Sequence, residues 1–250
     1  MKRHQAILEL LEKESYVSVA HLCDLFEVSA VTIRKDLKLL EDKGLLFRTH
    51  GGATIQNPYI NDRHVSEKEK LNVKEKEAIA EAAIQLIKPN DSIMIASGTT
   101  MQMLAKAIQI EDHLNITTSS LNVALELTKS PYYDILQLGG SVRHSSSSVT
   151  GHFSQSLLKN ITCNLLFLGV DGIDVDHGCT TTSLEEAMLN KKMIESAQKI
   201  IVLADSSKFN RKGFGKICAI SDIHHIITDS GISNTVAKEI KSIGIQLTVV

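Results

Sequence analysis

Four short stretches of this sequence carry side chains whose types and spacing suit the capture of an anion together with several hydroxyl groups. The first, Ser97-Gly98-Thr99-Thr100, joins a glycine that permits close backbone approach to three hydroxyls. It stands where a helix begins, so backbone N–H groups there lack intrahelical partners. A plain N-cap turn uses the same residues. The second, Gly139-Gly140-Ser141-Val142-Arg143, offers pliant backbone and a cation. The third runs Gly169-Val170-Asp171-Gly172-Ile173-Asp174 and is followed by Gly178, Thr181 and Glu186. Asp171 and Asp174, three apart on a glycine-bearing loop, suit bidentate recognition of sugar hydroxyls, although a bare surface turn also uses Asp and Gly. The fourth, Asp205-Ser206-Ser207-Lys208-Phe209, sets one lysine where a ligand phosphate can sit.

A different chemistry is written near the N-terminus. Projected at about 100° per residue, Ala30, Ile33, Leu37 and Leu40 share one arc. Val31, Thr32, Lys35 and Lys38 occupy the opposite arc, with Arg34 on its flank. Short residues and cations facing outward just after a tight turn suit entry into a DNA major groove. Ser29 at the helix start, Thr32, Arg34, Lys35, Lys38 and Arg48 are therefore the candidate DNA contacts. An ordinary solvated helix face has the same pattern. Residues 1–57 hold eight basic and eight acidic residues, a neutral balance and not the basic footprint of most nucleic-acid modules. Placement matters more here, because Arg34, Lys35, Lys38 and Arg48 cluster on this helix and the hairpin after it.

The elements that must hold these residues follow from periodicity. From Lys2 to about Lys43 the apolar spacing is helical throughout, with no strand-like alternation. Ile7, Leu8, Leu10 and Leu11 mark a first helix. Ser18 caps a second that carries Val19, Leu22, Leu25 and Phe26 inward, and Ser29 caps a third that stops at Gly44. Leu45–Thr49 and Ala53–Ile55 then flank His50-Gly51-Gly52 as a small hairpin. Three helices and a hairpin make a winged helix-turn-helix over residues 1–56. Asn57-Pro58 breaks structure, and the mixed charges of Asp62–Lys76 read as a linker, 57–76, leading into a solvated helix.

Beyond it, over 77–250, strand-like runs alternate with helical ones. Strands are expected at Ser92–Ala96, Asn115–Thr118, Asp134–Leu138, Leu165–Val170, Lys199–Ala204, His225–Thr228 and Gln246–Val249. Helices are expected at Glu77–Ile87, Leu121–Thr128, Ser183–Ala197 and Asn234–Ser242. The fold class is α/β, an open and mostly parallel sheet covered on both faces. In such a sheet ligands bind beyond the carboxyl ends of the strands, which is where the four loops fall.

Composition narrows the remaining options. The chain has 250 residues, 43% hydrophobic and 22% charged, with a formal charge of −2. No apolar run approaches the ~18 residues of a membrane span, and the first residues lack the apolar block of a secretion signal. Cys23, Cys163, Cys179 and Cys218 are far apart, against a disulfide framework or structural zinc. His224-His225 lacks metal-ligand spacing, and no GxGxxG follows a strand. A soluble, cytoplasmic protein without metal or cofactor is expected.

Longer motifs sharpen this reading. The run Val28-Ser29-Ala30-Val31-Thr32-Ile33-Arg34-Lys35-Asp36-Leu37, followed by Leu40–Gly44 and Arg48–Ala53, resembles the DNA-binding signature of DeoR-type bacterial transcription regulators. Ser97–Thr100, Gly139-Gly140 with Arg143 and Gly151, Gly169–Asp174 with Gly178, Thr181 and Glu186-Ala187, and Asp205–Phe209 resemble the sensor domain of the same family. That domain is similar in fold to ribose-5-phosphate isomerase. The resemblance implies a repressor of a sugar-catabolism operon whose grip on operator DNA is set by a phosphorylated sugar. Ala96 departs from it, since many members carry an acidic residue there, and this leaves the effector's identity open. The alternative is an isomerase-like enzyme in which Asp171, Asp174, Glu186 and Lys208 shuttle protons. Against it, a helix-turn-helix would be idle on such an enzyme, and Lys208–Gly213 lacks the isomerase's glycine run. Helix-turn-helix readers act in pairs on paired half-sites, so a homodimer or homotetramer is expected.

Overall fold

The computed structural model describes residues 2–43, 45–49, 51–54 and 64–250. The chain divides into two compact units, Met1–Asn61 and Asp62–Val250. Gly44, His50, Ile55 and the Asn57-Pro58 break, to which the sequence assigned a helix stop, a turn, a strand end and a linker, lie outside the described residues.

The first unit comprises α1 (Lys2–Glu14), β1 (Tyr16–Ser18), α2 (Val19–Phe26), α3 (Ala30–Asp42), β2 (Phe47–Thr49) and β3 (Gly52–Thr54). Ser18 and Ser29 cap α2 and α3, accepting the N–H of His21 at 3.0 Å and of Thr32 at 3.3 Å. Ile7, Leu11, Leu22, Ile33, Leu37 and Leu40 form the core, in line with the helical spacing. Two expectations fail. Tyr16–Ser18 is a strand, pairing antiparallel with Gly52–Thr54 and completing a three-stranded wing. Three residues are too few to show alternation, and their partner lies more than thirty residues away. Leu25 faces solvent, 51% exposed, because α2 ends one residue later and its buried face is carried by Val19 and Leu22.

A polar clamp ties α1 to the putting-forward helix α3. Arg3 Nε donates to Asp36 Oδ2 at 2.6 Å, and His4 Nε2 lies 2.9 Å from Oδ1. Burial pushes the Asp36 carboxyl up, but hydrogen bonds from Arg3 and His4 outweigh it and hold its pKa below the ordinary value. Stability from this clamp is therefore whole above about pH 4 and fades as the pH falls through the lowered pKa. Asp36→Asn is expected to speed amide exchange across α1 and α3 by about tenfold at neutral pH. The difference from wild type should shrink under acid; an equal difference at every pH would remove the ionised clamp as the cause.

The second unit runs α4 (Val65–Lys68), α5 (Val73–Ile84), β4 (Ser92–Ile95), α6 (Thr99–Ala107), β5 (Leu114–Thr118), α7 (Leu121–Leu127), β6 (Tyr133–Gln137), β7 (Ser141–Arg143), β8 (Ser148–Thr150), α8 (His152–Leu158) and β9 (Cys163–Leu168). It continues with β10 (Gly172–Asp174), β11 (Gly178–Thr181), α9 (Leu184–Glu195), β12 (Ala197–Leu203), β13 (Gly215–Cys218), β14 (His225–Thr228), α10 (Asn234–Ser242) and β15 (Gln246–Val249). All seven strands expected from the sequence enter one parallel sheet, in the order β15-β14-β12-β9-β4-β5-β6. Alternate residues face opposite ways. Ile93 and Ile95 pack with Ile79, Leu104 and Val123 from α5, α6 and α7, whereas Met94 packs with Leu158, Met193 and Ile240 from α8, α9 and α10. Burial on both faces explains the near-continuous apolar character of β9 and β12.

Chain order sets the place of any ligand. From β4 the sheet grows through β5 to β6, then returns to add β9, β12, β14 and β15 on the other side. The order reverses between β4 and β9, and a crevice must open outside their carboxyl ends.

Candidate functional site

In the first unit, α3 presents the expected outer face. Arg34, Lys35 and Lys38 are exposed, and Val31 is 60% exposed, while Ile33 and Leu37 are buried. Ser29 is occupied as the N-cap, and its Oγ also lies 3.0 Å from Thr32 Oγ1. Arg48 on β2 is held by Glu41: its Nε donates to Oε2 at 2.8 Å, and its backbone N–H to Oε1 at 2.9 Å. Among the described residues, Arg34, Lys35 and Lys38 form no ion pair of the kind that engages Arg48.

In the second unit the crevice at the strand reversal is a cleft. Its walls are Ser97, Gly98, Thr99 and Thr100 after β4, Gly169, Val170 and Asp171 after β9, and Leu203, Ala204 and Lys208 after β12. Val65, Lys68 and Lys76 close one side; Ser145, Ser146, Thr181, Glu186 and Asn190 complete the lining. Gly98 caps α6 at φ +127°, a conformation that glycine adopts readily, and it leaves the helix N-terminus without a side-chain cap hydrogen bond among the described residues. Gly169 is required for another reason: a Cβ there would stand 2.9 Å from the Ser97 carbonyl, so the loops after β4 and β9 can meet only at a glycine.

Charge in the cleft favours an anion. Three lysines line it, Lys68, Lys76 and Lys208, against two carboxylates, Asp171 and Glu186. Burial pushes the Asp171 carboxyl up, but Lys68 and Lys208 together with hydrogen bonds from Lys68 and Thr181 bring it down to about 2. It is ionised at any physiological pH. Burial lowers the pKa of Lys208, with Asp171 and Asp205 acting in the opposite sense. The same cause lowers that of Lys76, only 3% exposed. Glu186 accepts from Ser148 Oγ at 2.8 Å and stands 3.6 Å from Arg143 Nε. Ser146 Oγ lies 2.8 Å from Ser148 Oγ, which extends this polar chain to the lining.

The structure therefore brings together Ser97, Gly98, Thr99 and Thr100 after β4, Asp171 after β9, Thr181 at the end of β11, Glu186 on α9 and Lys208 after β12. Arg143 approaches through Glu186. Gly139, Gly140 and Asp174 are not among the lining residues. Gly140, at φ +147°, would set a Cβ 2.3 Å from the Thr150 carbonyl, a packing reason for glycine. Asp174 accepts the N–H of Asp176 and His177 and pairs with Lys212 at 3.4 Å, the arrangement of a turn. Sequence reasoning missed Lys68, Lys76, Ser145, Ser146 and Asn190. One signal was available: Lys76, Ile79, Ala80 and Ala83 repeat at helical spacing, and they are the buried face of α5. Within the stretch read as solvated, Val65 and Lys76 are buried and line the cleft together with Lys68, while Ser66, Glu67, Lys70 and Leu71 are exposed.

Comparison with known proteins assigns both units. A sequence model of the DeoR-like helix-turn-helix domain matches residues 3–58, and one of the DeoR C-terminal sensor domain matches residues 71–230. A protein of Escherichia coli O157:H7, provisionally named a transcriptional repressor of the aga operon, is 36% identical over 100% of this chain and 93% of its own length. The glycerol-3-phosphate regulon repressor of Haemophilus influenzae is 31% identical over 90% of this chain and 88% of its own. Among solved structures, ribose 5-phosphate isomerase A of Methanocaldococcus jannaschii covers 55% of each chain at 16% identity with a TM-score of 0.41.

Proposed function

Because the chain belongs to the DeoR family of DNA-binding transcriptional regulators, we propose that it represses a sugar-catabolism operon and that a phosphorylated sugar in the β4–β9 cleft controls its hold on the operator. One observation carries the effector reading. The N-terminus of α6, the hydroxyls of Ser97, Thr99 and Thr100, and Lys208 converge on a cleft whose lining has one more cation than anions. Phosphate suits that end of the cleft, and Asp171, Thr181, Glu186 and the Ser145–Ser146 wall suit sugar hydroxyls. Arg34, Lys35 and Lys38, with Thr32, contact the major groove, and Arg48 reaches a phosphate once DNA replaces Glu41. Each chain carries a single recognition helix, so two copies are needed on paired half-sites, as a homodimer or homotetramer in the cytoplasm.

The test is fluorescence anisotropy of the protein on DNA from upstream of its own gene, titrated with ribose 5-phosphate, fructose 1-phosphate, fructose 6-phosphate, galactose 6-phosphate and glycerol 3-phosphate. Salt-sensitive binding reversed by one of these, and not by its unphosphorylated form, is expected. Binding that no phosphorylated compound alters would sink the effector assignment. Turnover of any compound in the same panel would favour the isomerase alternative, for which Asp171, Glu186 and Lys208 lie around one cleft.

A further inference from the structure

Asp171 has one oxygen committed to its own loop and the other to a lysine from outside it. Oδ2 accepts the Thr181 hydroxyl at 2.9 Å and the Thr182 N–H at 3.2 Å. Oδ1 accepts the Lys68 ammonium at 2.9 Å. Oδ2 already has two donors and Oδ1 one, so a sugar hydroxyl that approaches Asp171 does so at Oδ1, where it meets the Lys68 ammonium.

Lys68 ends α4, and the segment around it is fastened to three walls of the cleft. The Val65 N–H donates to the Ser145 carbonyl at 2.6 Å. Asn72 Nδ2 donates to Asp205 Oδ1 at 2.9 Å. The buried Lys76 ammonium donates to the carbonyls of Lys68 and Leu71, each at 2.6 Å, so the Lys68 backbone and the following turn are pinned from within. The Lys68 side chain, about a quarter exposed, can leave without undoing a backbone bond. In sequence, α4 starts four residues after Asn61, where the first unit ends.

We propose that Lys68 is a built-in competitor of the effector: it occupies the Asp171 oxygen that a sugar hydroxyl takes, and its displacement is the event that alters the chain leading back to the DNA-binding unit. The proposal rests on the cleft being the effector site. In the effector-free protein the Lys68–Asp171 pair acts with the Val65–Ser145 and Asn72–Asp205 bonds to hold α4 in the arrangement that binds operator. A ligand with both a phosphate and hydroxyls breaks the pair; inorganic phosphate, which lacks the uncharged sugar hydroxyls and is repelled by the Asp171 carboxylate, does not.

Lys68→Met tests this in the full chain without any ligand. Its operator Kd should rise at least fivefold, within the range of ordinary allosteric coupling, while Lys68→Arg, which keeps the pair, should bind like wild type. The sugar phosphate that releases the wild type should bind Lys68→Met as tightly or more tightly, by calorimetry, and change its operator affinity little. Lys68→Gln gives the same comparison if the Met variant does not fold. Wild-type operator binding by both uncharged variants would overturn the proposal, as would weakened sugar-phosphate binding, which would make Lys68 a direct ligand. If no sugar phosphate acts on the wild type yet the uncharged variants still lose operator affinity, the lock stands and the effector assignment fails.

Discussion

Lys35→Ala is expected to abolish operator binding while leaving effector binding intact. Lys35 stands exposed on the outer face of α3, opposite the buried Ile33 and Leu37, and no core contact depends on it. A base or phosphate contact from such a position contributes about 1–3 kcal/mol. Two copies on paired half-sites lose it twice, so the operator Kd should rise roughly thirty- to twenty-five-thousand-fold. Anisotropy on operator DNA measures the loss, and a sugar-phosphate-induced rise in thermal midpoint checks that the second unit still binds. Undiminished DNA binding would remove α3 as the reading helix. Loss of both activities would indicate misfolding.

Lys208→Ala should give the converse protein, one that holds DNA and ignores the sugar phosphate. Lys208 follows β12 on a short 3₁₀ turn, Ser206–Lys208, capped by Asp205. A charge-assisted hydrogen bond to phosphate contributes about 1.5–3 kcal/mol, so effector affinity should fall roughly ten- to hundredfold. Release from DNA should shift to higher effector concentration by the same factor, because the two binding equilibria are linked. Release at the wild-type concentration would mean that the phosphate lies elsewhere.

What could be read from the residues divides along the range of the interactions involved. Ser18 and Ser29 announce their helices because a cap bonds to residues only three positions away. The inner sheet strands are visible because burial on both faces demands a nearly unbroken apolar run, and the loops after β4, β9 and β12 because close backbone approach demands Gly and small hydroxyl residues. Tyr16–Ser18 is invisible for the opposite reason: its strand state is created by Gly52–Thr54, not by its own three residues. The stretch from His64 to Lys76 is the instructive case. Its mixed charges look like those of a solvated linker, yet Lys76 is buried because two main-chain carbonyls, whose position only the folded chain determines, receive its ammonium. Composition reports the cost of burying a charge and not the partners that offset it.

The Glu41–Arg48 pair has a consequence for how this protein finds its target. Non-specific affinity for DNA comes from the number of phosphates that free cations can neutralise. A unit with balanced charge, whose wing arginine is already engaged by a carboxylate, releases few counterions on arbitrary sequence. On the reading proposed above, a phosphate is set beside Arg48 to compete with Glu41 only when α3 is seated in its groove. A genome presents ~10⁶–10⁹ competing sites, and weak retention on each raises the share of molecules at the operator as surely as tighter binding there. On that reading, withholding a charge from the wrong sequence is itself a form of discrimination.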